Sequence, residues 1–313
     1  MTEPGNRQRV LLTQAAGSLR RAVRTSVEIL GTGSGLARIA RGRLADHTAI
    51  LAYHNVVAPQ DAGRGDVSLH LPLPEFIRQI DRLMQTHEIV DLDNAAAQKS
   101  RGRPRAVITF DDAYRGAVTL ALPELQKRGL PAVVFVAPGL LGCRHTWWDA
   151  LGEAGFLEGS RDAALREKAG RTDRVLEAFL DRPVPELPES YAIATQDELE
   201  RSCTGNIRVG SHTWGHEFLP ALTRAELNET LERTRDWLSR FAGPRSSWIA
   251  LPYGGGSSET ARIALSCGHA GVLGIRGGLW RHGEDLAVVP RINVPAGMSS
   301  RGVELRTSGV FRF

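Results

Sequence analysis

From residue 47 onward, short apolar runs alternate with stretches of helical periodicity. AILAY (49–53), AVITF (106–110) and AVVFV (132–136) are continuous apolar runs, the signature of strands covered on both faces. EIVDL (88–92), IRVGS (207–211), WIAL (248–251), AGVLGI (270–275) and VVPRINV (288–294) are expected to be strands as well. Between them, PEFIRQIDRLMQT (74–86) sets Phe76, Ile77, Ile80, Leu83 and Met84 on one helical face. Helical material follows Phe110 through Lys127, with Gly129 as its stop. RAELNETLERTRDWLSRF (224–241) predicts a long helix, and another runs to about residue 266. Residues 147–190 are more polar and are expected to form a helical and looped excursion, closed by RPVPELPES (182–190).

Strands alternating with helices predict a parallel sheet covered by helices. Seven or eight such units in residues 47–313 suit a closed α/β barrel better than an open sheet. The economical division is one catalytic domain over 47–313 and an arm over 1–46. The 313 residues suffice for one large core, and 42% hydrophobic with 24% charged is ordinary globular composition. Charge changes the picture only at the N-terminus. Residues 1–44 hold eight arginines and two glutamates, a net of +6, so the formal +4 leaves −2 for the rest. The basic character belongs to the arm, and no groove-reading motif points to nucleic acid. Leu12, Ala16, Leu19, Val23, Val27 and Leu30 recur at helical spacing before Gly31. That helix either packs on the body or lies on anionic lipid through residues 8–30. No apolar run has membrane-span length, and the N-terminus lacks a signal peptide's apolar centre. Cys143, Cys203 and Cys267 are too few and too scattered for a disulfide framework. A cytoplasmic location, with peripheral contact to the inner membrane face, is the expectation.

ITFDDAY (108–114) follows a strand with two carboxylates, and a buried unpaired carboxylate is costly. At a barrel strand's C-terminal end, Asp111 and Asp112 point in different directions. One can bind a cation while the other stays free as a base. A lone Asp pair is more commonly a turn or a cap. GSHTWGHEFL (210–219) changes that balance, because His212 and His216, four apart after another strand, share one side if the segment is a helical turn. Two imidazoles and a carboxylate suit Zn²⁺ or another divalent transition metal and leave coordination positions open. ALPYGGG (250–256) supplies a Pro/Gly loop whose backbone can approach a ligand, and YHNV (53–56) puts His54 on the same rim.

Together these stretches resemble the NodB-type polysaccharide deacetylases, carbohydrate esterase family four. TFDDAY (109–114) is similar to the first motif of that family, SHTWGH (211–216) to its second and LPYG (251–254) to its third. YHNV, the helix after it and VPRINV (289–294) resemble the branch opening with Y-H-x-V. The resemblance implies a distorted (β/α) barrel of about seven strands. It implies that Asp112, His212 and His216 bind the metal and that Asp111 is the general base on the attacking water. The backbone N–H of Tyr253 would then stabilise the oxyanion. The substrate would be an N-acetylated saccharide, and the reaction hydrolysis of its acetamide.

Two departures stand out. The late L-x-H motif that supplies the acid in many members is absent, since His269 and His282 lie in other contexts; His54 is the expected replacement. Ala250 stands where the third motif carries an arginine, and Arg291 is the candidate to supply that charge from another strand. Trp147, Trp148 and Trp214 either stack on sugar rings or fill the core. A catalytically impaired carbohydrate-binding relative and an O-acetyl esterase are the alternatives. A glycosyltransferase fits poorly, because a diphosphate-bound metal rarely needs two imidazoles.

Overall fold

The computed structural model describes residues 32, 36–42, 44, 46–100, 102–242, 247–274 and 277–310. The helix expected over residues 8–30, and its stop at Gly31, lie outside the described residues.

The strands are β1 (His47–Tyr53), β2 (Asn55–Val57), β3 (His70–Pro72), β4 (Glu88–Ile89), β5 (Arg105–Phe110), β6 (Ala132–Val136), β7 (Ile207–Ser211), β8 (Trp248–Ala250), β9 (Gly271–Leu273), β10 (Trp280–Arg281) and β11 (Ile292–Asn293). β1, β5, β6, β7, β8 and β9 pair in that order, all parallel. The sheet curls until one segment spans its two edges. Val289 bridges Leu273 in parallel, and β11 then runs parallel to β1 at Leu51 and Ala52. Seven parallel strands thus form a distorted (β/α) barrel. The distortion sits where two strands are shared lengthwise. β1 pairs antiparallel with β10 at its start and parallel with β11 at its end. β5 pairs with β4 at Arg105 and Ala106, and with β6 at Thr109 and Phe110.

Strand parity separates inside from outside. Ile50, Val107, Val133, Phe135, Trp248 and Leu273, from five strands, pack on one another as the barrel interior. Their neighbours Leu51, Ile108 and Val134 pack instead with Phe76, Ile80 and Leu83 of the helix Leu73–Thr86. Both faces are buried, which is why these strands read as unbroken apolar runs.

One of these expectations is corrected and others gain detail. EIVDL is a strand only over Glu88–Ile89, because the Asp91 carboxylate accepts the Asn94 N–H and caps the helix Leu92–Ala97. The helical stretch after Phe110 opens as a wider turn, Ala117–Ala121, before the α-helix Leu122–Lys127, and Gly129 takes φ +66° just beyond it. Residues 147–179 contain three helices, Trp147–Ala154, Leu157–Lys168 and Thr172–Phe179. The pattern did not suggest β2, β3 and β10, nor the helix Ser300–Thr307, whose buried Val303 joins the outer cluster.

Candidate active site

The interior row of β5 runs Val107, Thr109, Asp111, so parity aims the Asp111 carboxylate into the top of the barrel. It arrives buried, with the His212 Nε2 4.0 Å away and, among the described residues, one side chain hydrogen-bonded to it. Arg291, itself fully buried, donates from Nη1 to Asp111 Oδ1 at 2.7 Å and from Nη2 to Oδ2 at 2.8 Å. The guanidinium is held in turn, with Nε donating to the Gly274 carbonyl at 2.9 Å and Cζ 5.6 Å from the Phe135 ring centroid. Burial raises the Asp111 carboxyl, yet the facing guanidinium and the His212 imidazole hold it below the ordinary carboxylate value.

By parity Asp112 would face outward. It does not, because its φ of +69°, followed by Ala113 at +58°, re-aims the chain. Its Oδ1 lies 3.0 Å from His216 Nε2 and 3.4 Å from His212 Nε2. The histidines do not share a helical turn as expected. The segment after β7 is irregular, with Thr213 at φ +63° and His216 at φ +58°, and this path brings the two rings to a centroid separation of 4.7 Å. Of six described non-glycine residues with left-handed φ, five are Asp112, Ala113, Thr213, His216 and Tyr253. Among the described residues, backbone strain is thus concentrated at one place, as it is at sites whose geometry the surrounding fold over-determines.

One ligand atom from each of Asp112, His212 and His216 lies within 4.8 Å of the others. Two details fit a divalent cation among them. Asp112 Oδ1 is buried and has no hydrogen-bond partner. His212 Nδ1 contacts the Ala250 carbonyl at 2.8 Å, which keeps the proton there and leaves Nε2 a lone pair facing the cluster. His216 Nδ1 meets the Tyr253 hydroxyl at 2.9 Å, and that oxygen also accepts the Trp147 indole N–H at 3.0 Å. Burial drives the His216 imidazole toward its neutral, ligating form. Burial also opposes the Asp112 charge, but the two imidazoles hold that carboxyl well below its ordinary value.

These groups open onto a cavity of about 260 Å³, lined also by His54, Tyr253 and Trp148. His54, Asp111, Asp112, His212, His216 and Tyr253 are therefore brought together, with Arg291 behind Asp111. Trp148 packs over His216 at 4.7 Å between ring centroids. The other two tryptophans do not line this cavity. Trp147 is fully buried and serves Tyr253, while Trp214 lies under the Arg233 guanidinium, 3.7 Å away, and faces a separate cleft. Neither late histidine joins the site; His269 is buried against the Ser247 carbonyl.

Sequence reading missed a second polar centre. Asp149, fully buried, accepts from the Asp66 N–H, the Tyr114 hydroxyl and the Thr146 hydroxyl, and meets His70 Nε2 at 2.8 Å. The Tyr114 hydroxyl also receives the Trp148 indole N–H at 2.6 Å, which fixes that ring over His216. The available signal was Asp149 in the WWD step, too hydrophobic a setting for a solvated carboxylate.

Residues 98–272 match the polysaccharide deacetylase family, a span that includes both aspartates, both histidines and Tyr253 but neither His54 nor Arg291. No curated protein sequence matches the chain. Among solved structures, the deacetylase PplD of Streptococcus pyogenes, in complex with acetate, superposes with a TM-score of 0.60 at 16% identity, covering 83% of this chain and 98% of that one. IcaB from Ammonifex degensii gives 0.61 at 21% identity, over 84% and 97%. BC0361, a polysaccharide deacetylase from Bacillus cereus, gives 0.61 at 15% identity, over 83% and 69%. At these identities the superpositions establish the shared fold. The family match spans more than half of the sequence and takes in the paired aspartates and the histidine loop, so this chain belongs to the polysaccharide deacetylase family of carbohydrate-deacetylating hydrolases.

Proposed function

We propose that the protein is a divalent-metal-dependent N-deacetylase that hydrolyses the acetamide of an N-acetylated amino sugar. The observation that carries this reading is the convergence of Asp112, His212 and His216 beside an arginine-clamped Asp111 in one cavity. A Zn²⁺ or similar ion held by those three side chains would supply a water of lowered pKa and a Lewis acid for the carbonyl. Asp111, kept ionised by Arg291, accepts the proton of the attacking water. The Tyr253 backbone N–H, on a turn held at φ +55°, donates to the carbonyl oxygen as negative charge develops there. His54 protonates the amine as the C–N bond breaks, giving acetate and a free amino sugar. Arg291 takes over the charge that Ala250 cannot provide, which supports catalytic competence over a role in binding alone.

The test is acetate release from N-acetylated oligosaccharides alongside metal content. Asp111→Asn is expected to retain zinc and lose turnover, and His212→Ala to lose both. Full zinc binding by the wild-type protein without acetate release from a broad panel would reassign it as a carbohydrate-binding relative. Release from O-acetylated sugars alone would make it an esterase.

A further inference from the structure

The cavity over Asp111 and Asp112 has a closed side and an open side. The closed side is a wall of Ser68, Leu69, Trp148, Arg161 and Leu165. It joins two segments distant in sequence, the loop before β3 and the excursion helices, and the seam between them is dense. Arg161 pairs with Asp66 at 2.7 Å, and Arg64 with Glu153 at 2.7 Å. The Gly65 N–H donates to Glu153 Oε2 at 3.0 Å, and the Asp66 N–H to Asp149 Oδ1 at 2.9 Å. Backbone meets helix directly here. A Cβ on Gly152 would fall 2.5 Å from the Gly65 carbonyl oxygen, and one on Gly65 would fall 2.6 Å from Asp149 Oδ1. Behind the seam, Trp147, Trp148, Leu151, Ala164 and Val175 form an apolar cluster that also takes in Leu69 and Tyr253. The wall is thus a packed structure with its own core.

The opposite side differs. Leu251 and Gly254 line both this cavity and a neighbouring hollow of about 310 Å³, whose far wall is Ala287, Val288 and Val289. The shared residues give a substrate a continuous path out of the cavity on that side. The cavity's 260 Å³ is also below the range of roughly 300–1,000 Å³ usual for drug-sized ligands, so it suits one sugar ring and not several.

We propose that the site acts on a terminal sugar. It takes the acetylated ring at the end of a saccharide or glycoside, with the rest of the molecule passing over Leu251 and Gly254 into the hollow, and the wall excludes acetylated rings inside a chain. A mid-chain ring needs an open path on both sides, and the Asp66–Arg161 seam closes one of them. This inference rests on the deacetylase reading and narrows its substrate.

The test uses three tetrasaccharides of glucosamine, each carrying one N-acetyl group, at either end or at an internal ring, with zinc-loaded full-length enzyme. Acetate release from one of the end-acetylated compounds is expected to exceed that from the internal one by about 100-fold in kcat/KM, a discrimination of the size a steric block supplies. Comparable rates at internal and terminal positions would overturn terminal recognition while leaving the deacetylase reading intact. Acetate from none of the three, nor from any simple N-acetyl glycoside, would overturn both. The Arg161→Ala/Leu165→Ala double variant lowers the wall and is expected to raise the internal-to-terminal ratio about tenfold. An unchanged ratio in a folded variant would show that the wall does not set the preference.

Discussion

The floor of the site and its wall are built on different physical terms. The floor sits on strand ends, where hydrogen-bonded register fixes each residue and burial is complete. Asp111 and Arg291 form a bidentate pair, both partners buried from bulk solvent. The wall is made of short helices and a loop, stitched by ion pairs whose arginines are 41% and 49% exposed. Exposed pairs contribute little, whereas a buried charge left without its partner is very costly. Chemistry is therefore placed where displacement is expensive, and substrate selection where change is cheap.

Arg291→Met should break the floor most severely. It leaves the Asp111 carboxylate buried and unpaired, with an expected loss of roughly 3–5 kcal/mol in urea unfolding. Adding Asp111→Asn should return much of that stability but none of the turnover. A loss under about 1 kcal/mol for Arg291→Met would put the floor and the wall on the same footing.

Acid probes the barrel away from both regions. Burial pushes the His87 imidazole down to about 4, despite its contact with the Thr307 carbonyl, and His269 also down to about 4. Because both folded values lie below the unfolded one, their contribution is fully present above about pH 6.5 and is lost as pH falls toward 4. Each site accounts for roughly 3 kcal/mol over that window. His87→Gln should flatten the slope of stability against pH, and an unaltered slope would show that His87 takes up its proton without unfolding.

Trp148→Phe keeps a ring over His216 but removes the N–H given to Tyr114, with an expected cost of about 1–2 kcal/mol. Its effect on acetate release should be larger in kcat than in KM, since the ring orients a proposed metal ligand. A rise in KM alone would make Trp148 a sugar contact. Arg161→Ala should be the mildest, shifting stability by less than about 1 kcal/mol, since half of its side chain is in water. A larger loss in thermal unfolding would show that the wall is as over-determined as the floor.

Much of this was legible along the chain. The apolar runs at 49–53, 106–110 and 132–136 are strands because both faces of a barrel strand are buried, and a continuous run encodes that condition locally. The aspartate pair and the histidine loop were visible because strand, turn and side-chain chemistry lie within a few consecutive residues. What failed was equally local in cause. Spacing of four reads as a helical turn, but left-handed Thr213 and His216 reach the same proximity by another path. EIVDL looked like a full strand until Asp91 found a helix to cap.

The sequence by itself determined the strand parity that aims Asp111 inward and the residue types able to hold a cation. Tertiary structure alone decided which arginine faces Asp111, which side of the cavity is walled, and that Tyr114, bonded to Asp149, would anchor Trp148 from outside its helix. The reason is distance along the chain. Arg291 reaches Asp111 across 180 positions, and Asp66 reaches Arg161 across 95. Such pairings are set by how a curled sheet closes on itself, which no local pattern of residues records.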